Sequence, residues 1–211
     1  MNLASGADRR TDLIRRGRRL EYLTVGWNLA EAVIAIGAGV IAGSSALIGF
    51  GLDSVIESVS GVVLLWRLQV GSEGERREQR ALKLVGGSFF LLAAYVAWNA
   101  GGTLWRREEP GGSAVGIVLA AVSLIVMPIL ARAKRRVASG LGSAALEADS
   151  RQTDLCAVLS AILLGGLLLN ATLGWWWADP LAALAMVPVI AAEGLRALRG
   201  ERCDDCAPMA E

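Results

Sequence analysis

Asp53 and Glu57 stand four residues apart in a stretch that is otherwise almost wholly apolar, and this interval places both carboxylates on one face of a helix. Two neighbouring anions in a low-dielectric setting repel, and a bound cation or a proton relieves that repulsion. The alternatives are pairing with an arginine or retention as protonated helix-packing groups; no basic residue is expected at mid-membrane depth to act as partner. The pair therefore points to an ion or proton path. Further along, Asp149, Gln152, Thr153 and Cys156 share a helix face by i, i+3, i+4 and i+7 spacing, while Ser150 and Asp154 point elsewhere. Two carboxylates, an amide oxygen and a thiolate form a mixed hard and soft donor set suited to zinc or another first-row divalent ion. Cys156 as a small buried hydrophobe is the plainer alternative. Asn28 and Glu31, three apart, either join the path or hydrogen-bond neighbouring helices. Cys203 and Cys206 have the spacing of half a zinc site, but no second half is visible, and a solvated tail is the simpler reading. The chain contains no histidine, which excludes a histidine triad and a histidine-ligated catalytic zinc. No nucleophile and base pair suggests an enzyme.

The elements that must carry these residues are membrane helices. With 54% hydrophobic and 19% charged residues over 211 positions, and a mean hydropathy of +0.48, the chain has more apolar surface than a soluble domain of this length can bury. Six stretches approach the roughly 20 apolar residues that a bilayer requires: 22–41, 46–68, 81–104, 115–133, 144–169 and 180–198. The expected fold is an all-α, polytopic membrane protein. Residues 1–20 read as a basic arm with Arg9, Arg10, Arg15, Arg16, Arg18 and Arg19, retained rather than cleaved as a signal peptide. Residues 21–198 form the six-span domain and 199–211 a short tail. Arg67, Arg76, Arg77, Arg80 and Lys83 follow the second span, Arg132, Lys134, Arg135 and Arg136 the fourth, and Arg196, Arg199 and Arg202 the sixth. The positive-inside rule then predicts both termini in the cytoplasm of a multi-pass cell-membrane protein. Once the arginines are assigned to loops no basic face remains for nucleic acid, and the lipid bilayer is the expected partner. Trp175, Trp176 and Trp177 suit the opposite interface, and Asp179-Pro180 opens the sixth helix, carboxylate as cap and proline in the first turn.

A short internal repeat relates two helices. Gly43-Ser44-Ser45-Ala46-Leu47 at the start of the second recurs as Gly142-Ser143-Ala144-Ala145-Leu146 at the start of the fifth. In that register Asp53 falls on Gln152 and Glu57 on Cys156, so the polar groups are expected at matched depths, either by the internal symmetry seen in transporters or by chance.

These motifs resemble the transmembrane domain of the cation diffusion facilitators, a family of divalent-metal/proton antiporters typified by zinc transporters. The likeness rests on Gly43 to Leu47 leading to Asp53-Ser54-Val55-Ile56-Glu57, on Glu147-Ala148-Asp149, and on Trp177-Ala178-Asp179-Pro180. It implies export of a divalent ion, Zn2+ first, with Cd2+, Co2+, Fe2+ and Mn2+ as further candidates and protons as the coupling ion. It also implies a metal site made by two carboxylates on the second helix and a His-x-x-x-Asp pair on the fifth. Counted from Asp149, that pair lands on Gln152 and Cys156, the positions that the internal repeat also gives. The site so implied comprises Asp53, Glu57, Gln152 and Cys156, with Asp149 or Asp154 as substitutes. The family's usual cytoplasmic domain is not expected in the short tail after Leu198, which leaves a homodimer to form, if at all, through membrane helices. A non-transporting membrane protein with a degenerate metal site is the rival reading.

Overall fold

The computed structural model describes residues 3–70 and 75–199; the side chains of 3–9, 66–70, 75–85, 144, 145, 148 and 199 fall outside that description. The side chains of Arg9, of the basic residues from Arg67 to Lys83 and of Arg199 therefore lie outside the description, as do Arg202 and the cysteines Cys203 and Cys206 altogether.

The described residues form six α-helices: α1 (Leu3–Ala42), α2 (Ser45–Val70), α3 (Glu75–Arg106), α4 (Ala114–Leu141), α5 (Ala144–Leu173) and α6 (Ala178–Arg199). Five are long and apolar enough to cross a bilayer; in α3 the described segment is diluted by Gly86, Gly87, Asn99, Gly101 and Gly102. α1 and α4 run well past their apolar runs into basic segments. α1 includes the basic arm, and α4 continues eight residues past Ala133, because arginine, lysine and alanine are good helix formers and nothing stops the helix until Gly142. Lys134, read from the sequence as a loop residue, is therefore helical.

The helices pair as antiparallel hairpins, α1 with α2 and α4 with α5; α1 then packs on α4 and α2 on α5 to close a four-helix ring. The third pair, α3 with α6, lies against α2 and α5. Its helices meet backbone to backbone: a Cβ on Gly86 would stand 3.0 Å from the carbonyl oxygen of Gly194, and one on Gly194 would stand 3.1 Å from that of Gly86. Small residues at such crossings let helices approach without a side chain between them.

Polarity is inverted relative to a soluble bundle. Val33, Leu91 and Ile125 are exposed, whereas Glu21, Asn28, Ser54, Ser123 and Lys134 have no accessible surface. An apolar exterior around a polar interior is the arrangement that hydrocarbon selects. Trp175 and Trp177 stack with ring centroids 4.9 Å apart, both partly exposed, at the α5–α6 junction.

The sequence repeat is a repeated turn. Gly43 (φ 65°) and Gly142 (φ 64°) both adopt the left-handed conformation that lets a helix end sharply. The next residue donates its amide back to the helix just finished, Ser44 to Gly39 at 2.9 Å and Ser143 to Ala138 at 3.1 Å. Each serine hydroxyl then accepts the amide three residues on, from Leu47 at 3.0 Å and Leu146 at 3.4 Å. The two turns lie at opposite ends of the bundle. Gly111 donates to Ala42 at 2.7 Å and Asn170 to Pro110 at 2.9 Å, which gathers the α3–α4 and α5–α6 connections at the α1–α2 end. Leu13 and Gly17 instead pack near Gly140, Val137 and Leu146 at the α4–α5 end. The matched depths expected for the polar groups are thus measured from opposite faces of the bundle.

Candidate metal centre

Three polar layers run along the ring. At the α1–α2 end, Ser44 donates to Asp179, which also accepts from the Ala46 amide at 3.4 Å; Ser45 donates to Asn99 at 2.6 Å and lies 3.2 Å from Thr103. The expectation that Asp179 caps α6 needs correction. α6 begins at Ala178, one residue before it, and the carboxylate spans to the free amides at the start of α2.

The middle layer centres on Glu31. Its carboxylate accepts from Ser54 on α2 at 2.8 Å and from Ser123 on α4, and the Cys156 thiol on α5 lies 3.8 Å away. Trp27 donates to Ser123 at 3.1 Å. Cys156 is also within reach of Glu57. Asp53 and Gln152 line a common cleft between α2, α5 and α6, together with Glu193, and Ser60 donates to Gln152 at 3.2 Å. The four positions at Asp53, Glu57, Gln152 and Cys156 thus gather along the α2–α5 contact. Asp53 and Glu57 are both buried. Among the described residues, Glu57 Oε1, Gln152 Nε2 and both amide atoms of Asn28 are buried without a hydrogen-bond partner. Such atoms are costly unless something polar meets them. Even so, no three carboxylate or thiol groups among the described residues stand close enough together to hold one ion.

The third layer was not visible from the sequence. Lys134 is fully buried, with its ammonium 2.5 Å from Asp149, 3.2 Å from Glu21 and 3.3 Å from Thr153. A basic residue therefore does lie inside the bundle, and it engages Asp149. Asp154 sits on the outside of α5 in a two-bond pair with Arg135, at 2.6 and 3.3 Å. The residues missed, Glu21, Thr24, Ser123 and Lys134, share a signal. Glu21, Thr24, Asn28 and Glu31 recur at three- and four-residue intervals along α1, and Ser123, Met127, Ala131 and Lys134 do so along α4, each a stripe facing the ring interior.

Residues 22–201 match the family described as the cation efflux transmembrane domain. The chain belongs to the cation efflux family. Such proteins are transporters rather than enzymes. It is similar to an uncharacterised transporter of Synechocystis, 27% identical over 82% of this chain and 58% of the relative. It is also similar to the cation-efflux pump FieF of Shewanella oneidensis, 28% identical over 53% of this chain and 38% of that protein. The chain thus spans less than two thirds of the length of either relative. Membership accounts for the polar core within an apolar shell: a cation efflux domain has to offer donors where lipid offers none.

Proposed function

We propose that the chain carries a divalent metal cation across the cell membrane, out of the cytoplasm and in exchange for protons, through the α2–α5 contact. The observation that supports this most directly is the buried pair Asp53 and Glu57, with an unpartnered carboxylate oxygen on Glu57, beside Gln152 and Cys156. Asp53 and Glu57 are the core ligands, and Cys156 and Gln152 complete the set. Asp149 and Asp154, already engaged by Lys134 and Arg135, stand outside it. Zn2+ is the leading cargo, with Cd2+ favoured by the thiol and Co2+, Fe2+ and Mn2+ to be compared. Antiport follows from competition: two adjacent carboxylates in a low-dielectric path hold a metal or protons, and each displaces the other. Both termini lie in the cytoplasm, placing the α4–α5 turn on that side and the α1–α2 turn outside.

Proteoliposomes containing the chain, with an imposed pH gradient, test this reading. Metal uptake coupled to proton movement out of the vesicles is expected for at least one of the five ions. Saturable metal binding with no flux of any ion favours the rival, a non-transporting membrane metal-binding protein. A cysteine placed at Ala171 should react with an impermeant reagent from outside intact cells, and failure to do so would reverse the orientation.

A further inference from the structure

The Lys134 cluster has the geometry of an occupied cation site. Four oxygen atoms surround the ammonium: Asp149 Oδ2 at 2.5 Å, Glu21 Oε1 at 3.2 Å, Glu21 Oε2 at 3.3 Å and Thr153 Oγ1 at 3.3 Å. They come from α1 and α5, while the cation comes from α4. Thr153 donates its own proton to the Asp149 carbonyl at 3.1 Å, which leaves a hydroxyl lone pair for the ammonium. Two carboxyl groups face one ammonium. Lysine is expensive inside a membrane protein and is retained there where it meets such partners.

The position matters as much as the chemistry. Thr153 lies one turn before Cys156 on α5, whose thiol stands 3.8 Å from Glu31 in the middle layer. The cluster thus stands between the middle layer and the α4–α5 end of the ring, where α1, α4 and α5 converge.

We propose that Glu21, Asp149 and Thr153 form a second cation site on the path, kept filled in the unloaded protein by the tethered ammonium of Lys134. A metal ion moving between that end and Glu57 has to displace the ammonium, so Lys134 acts as a resident competitor, and its loss opens the site to hard divalent ions that oxygen donors suit. The consequence for traffic rests on the transport reading above; the site itself does not.

Equilibrium binding of Mn2+ to the purified full chain in detergent tests the site without any transport step. Lys134→Ala should bind one more Mn2+ per chain than the wild type, and Lys134→Ala with Asp149→Asn should bind no more than the wild type. A folded Lys134→Ala protein with no added Mn2+, or an equal gain in the double variant, would overturn the proposal. If the single variant does not yield monodisperse protein, the double variant carries the test. With Cys203→Ser and Cys206→Ser as background, a water-soluble maleimide should modify Cys156 at least about tenfold faster than in the chain with Lys134 and Asp149 intact. An unchanged rate would sink the idea. Absence of metal flux through the wild type, with these outcomes as expected, would remove the transport reading and leave the resident-cation site standing.

Discussion

The two glycine–serine turns have nearly the same backbone yet close opposite ends of the ring by different chemistry. At the α1–α2 turn, Ser44 caps its helix and also donates to Asp179, which joins α2 to α6 through a hydroxyl, a carboxylate and a backbone amide. At the α4–α5 turn, Ser143 caps its own helix, and the helices are instead joined deeper in the bundle, by the Lys134 ammonium between Asp149 and Glu21. Turn geometry and end chemistry are therefore separable. The repeated pentapeptide sets the hairpins, and residues outside it decide what holds each end.

The largest expected effect lies between the ends, where neither closure reaches. Asp53→Asn and Glu57→Gln should each abolish or nearly abolish metal flux in proteoliposomes, with abundance and monodispersity close to wild type, because each amide keeps the volume and removes the charge. Normal flux in both would move the path away from α2. Next comes Gln152→His combined with Cys156→Asp. Imidazole is a better zinc donor than an amide, so Zn2+ affinity should rise by about tenfold or more, while preference for Cd2+ should fall with the sulfur. Asp154→Asn should leave both unchanged, since that carboxylate faces Arg135 at the surface. The opposite ranking would rotate α5 from the register argued above.

Smaller effects separate the two turns directly. Ser44→Ala removes a cap and strips Asp179 of its hydroxyl donor, a loss of about 2–3 kcal/mol, whereas Ser143→Ala removes a cap alone, about 1 kcal/mol. Unfolding in detergent measured on both should show that inequality; equal losses would mean that the contact with Asp179 adds nothing to stability. Gly43→Ala and Gly142→Ala should be the closest pair, each costing about 1–2 kcal/mol for a left-handed residue with a Cβ. A marked difference between them would show that the two turns are alike only in sequence.

Much of this was legible beforehand because hydrocarbon imposes one rule along the whole chain. Long apolar runs gave all six helices, and the matched registers brought Asp53, Glu57, Gln152 and Cys156 onto one helix contact. What escaped notice had a common cause. Hydropathy ends a span at the first cluster of charges, so Lys134 was grouped with Arg132, Arg135 and Arg136, although its three neighbours are exposed and it is buried. Its place on the α4 stripe with Ser123, Met127 and Ala131 is the one local sign, and the partners on α1 and α5 that it meets are tertiary facts. Asp179 was misplaced in a similar way. A carboxylate before proline reads as a local cap, and nothing local says that it serves the start of a different helix. Glu21 lay one residue before the predicted start of its span, yet it continues the polar stripe of α1 inward.

The unbroken course of α1 has a mechanical consequence. Its 40 residues make a rod of about 60 Å, while the hydrocarbon layer is about 30 Å thick. The rod is gripped within the bundle at Glu21, beside Lys134, and again at Gly17 and Leu13 against α4 and α5, so residues 3–12 extend beyond that grip as a lever arm of about 15 Å. A tilt of ten degrees about Leu13 sweeps its far end through roughly 3 Å. A shift of the partners of the buried ammonium is thus carried along the rod to where a probe can be attached, and a fluorophore pair on Arg10 and Arg136 would read the interior as a change in length.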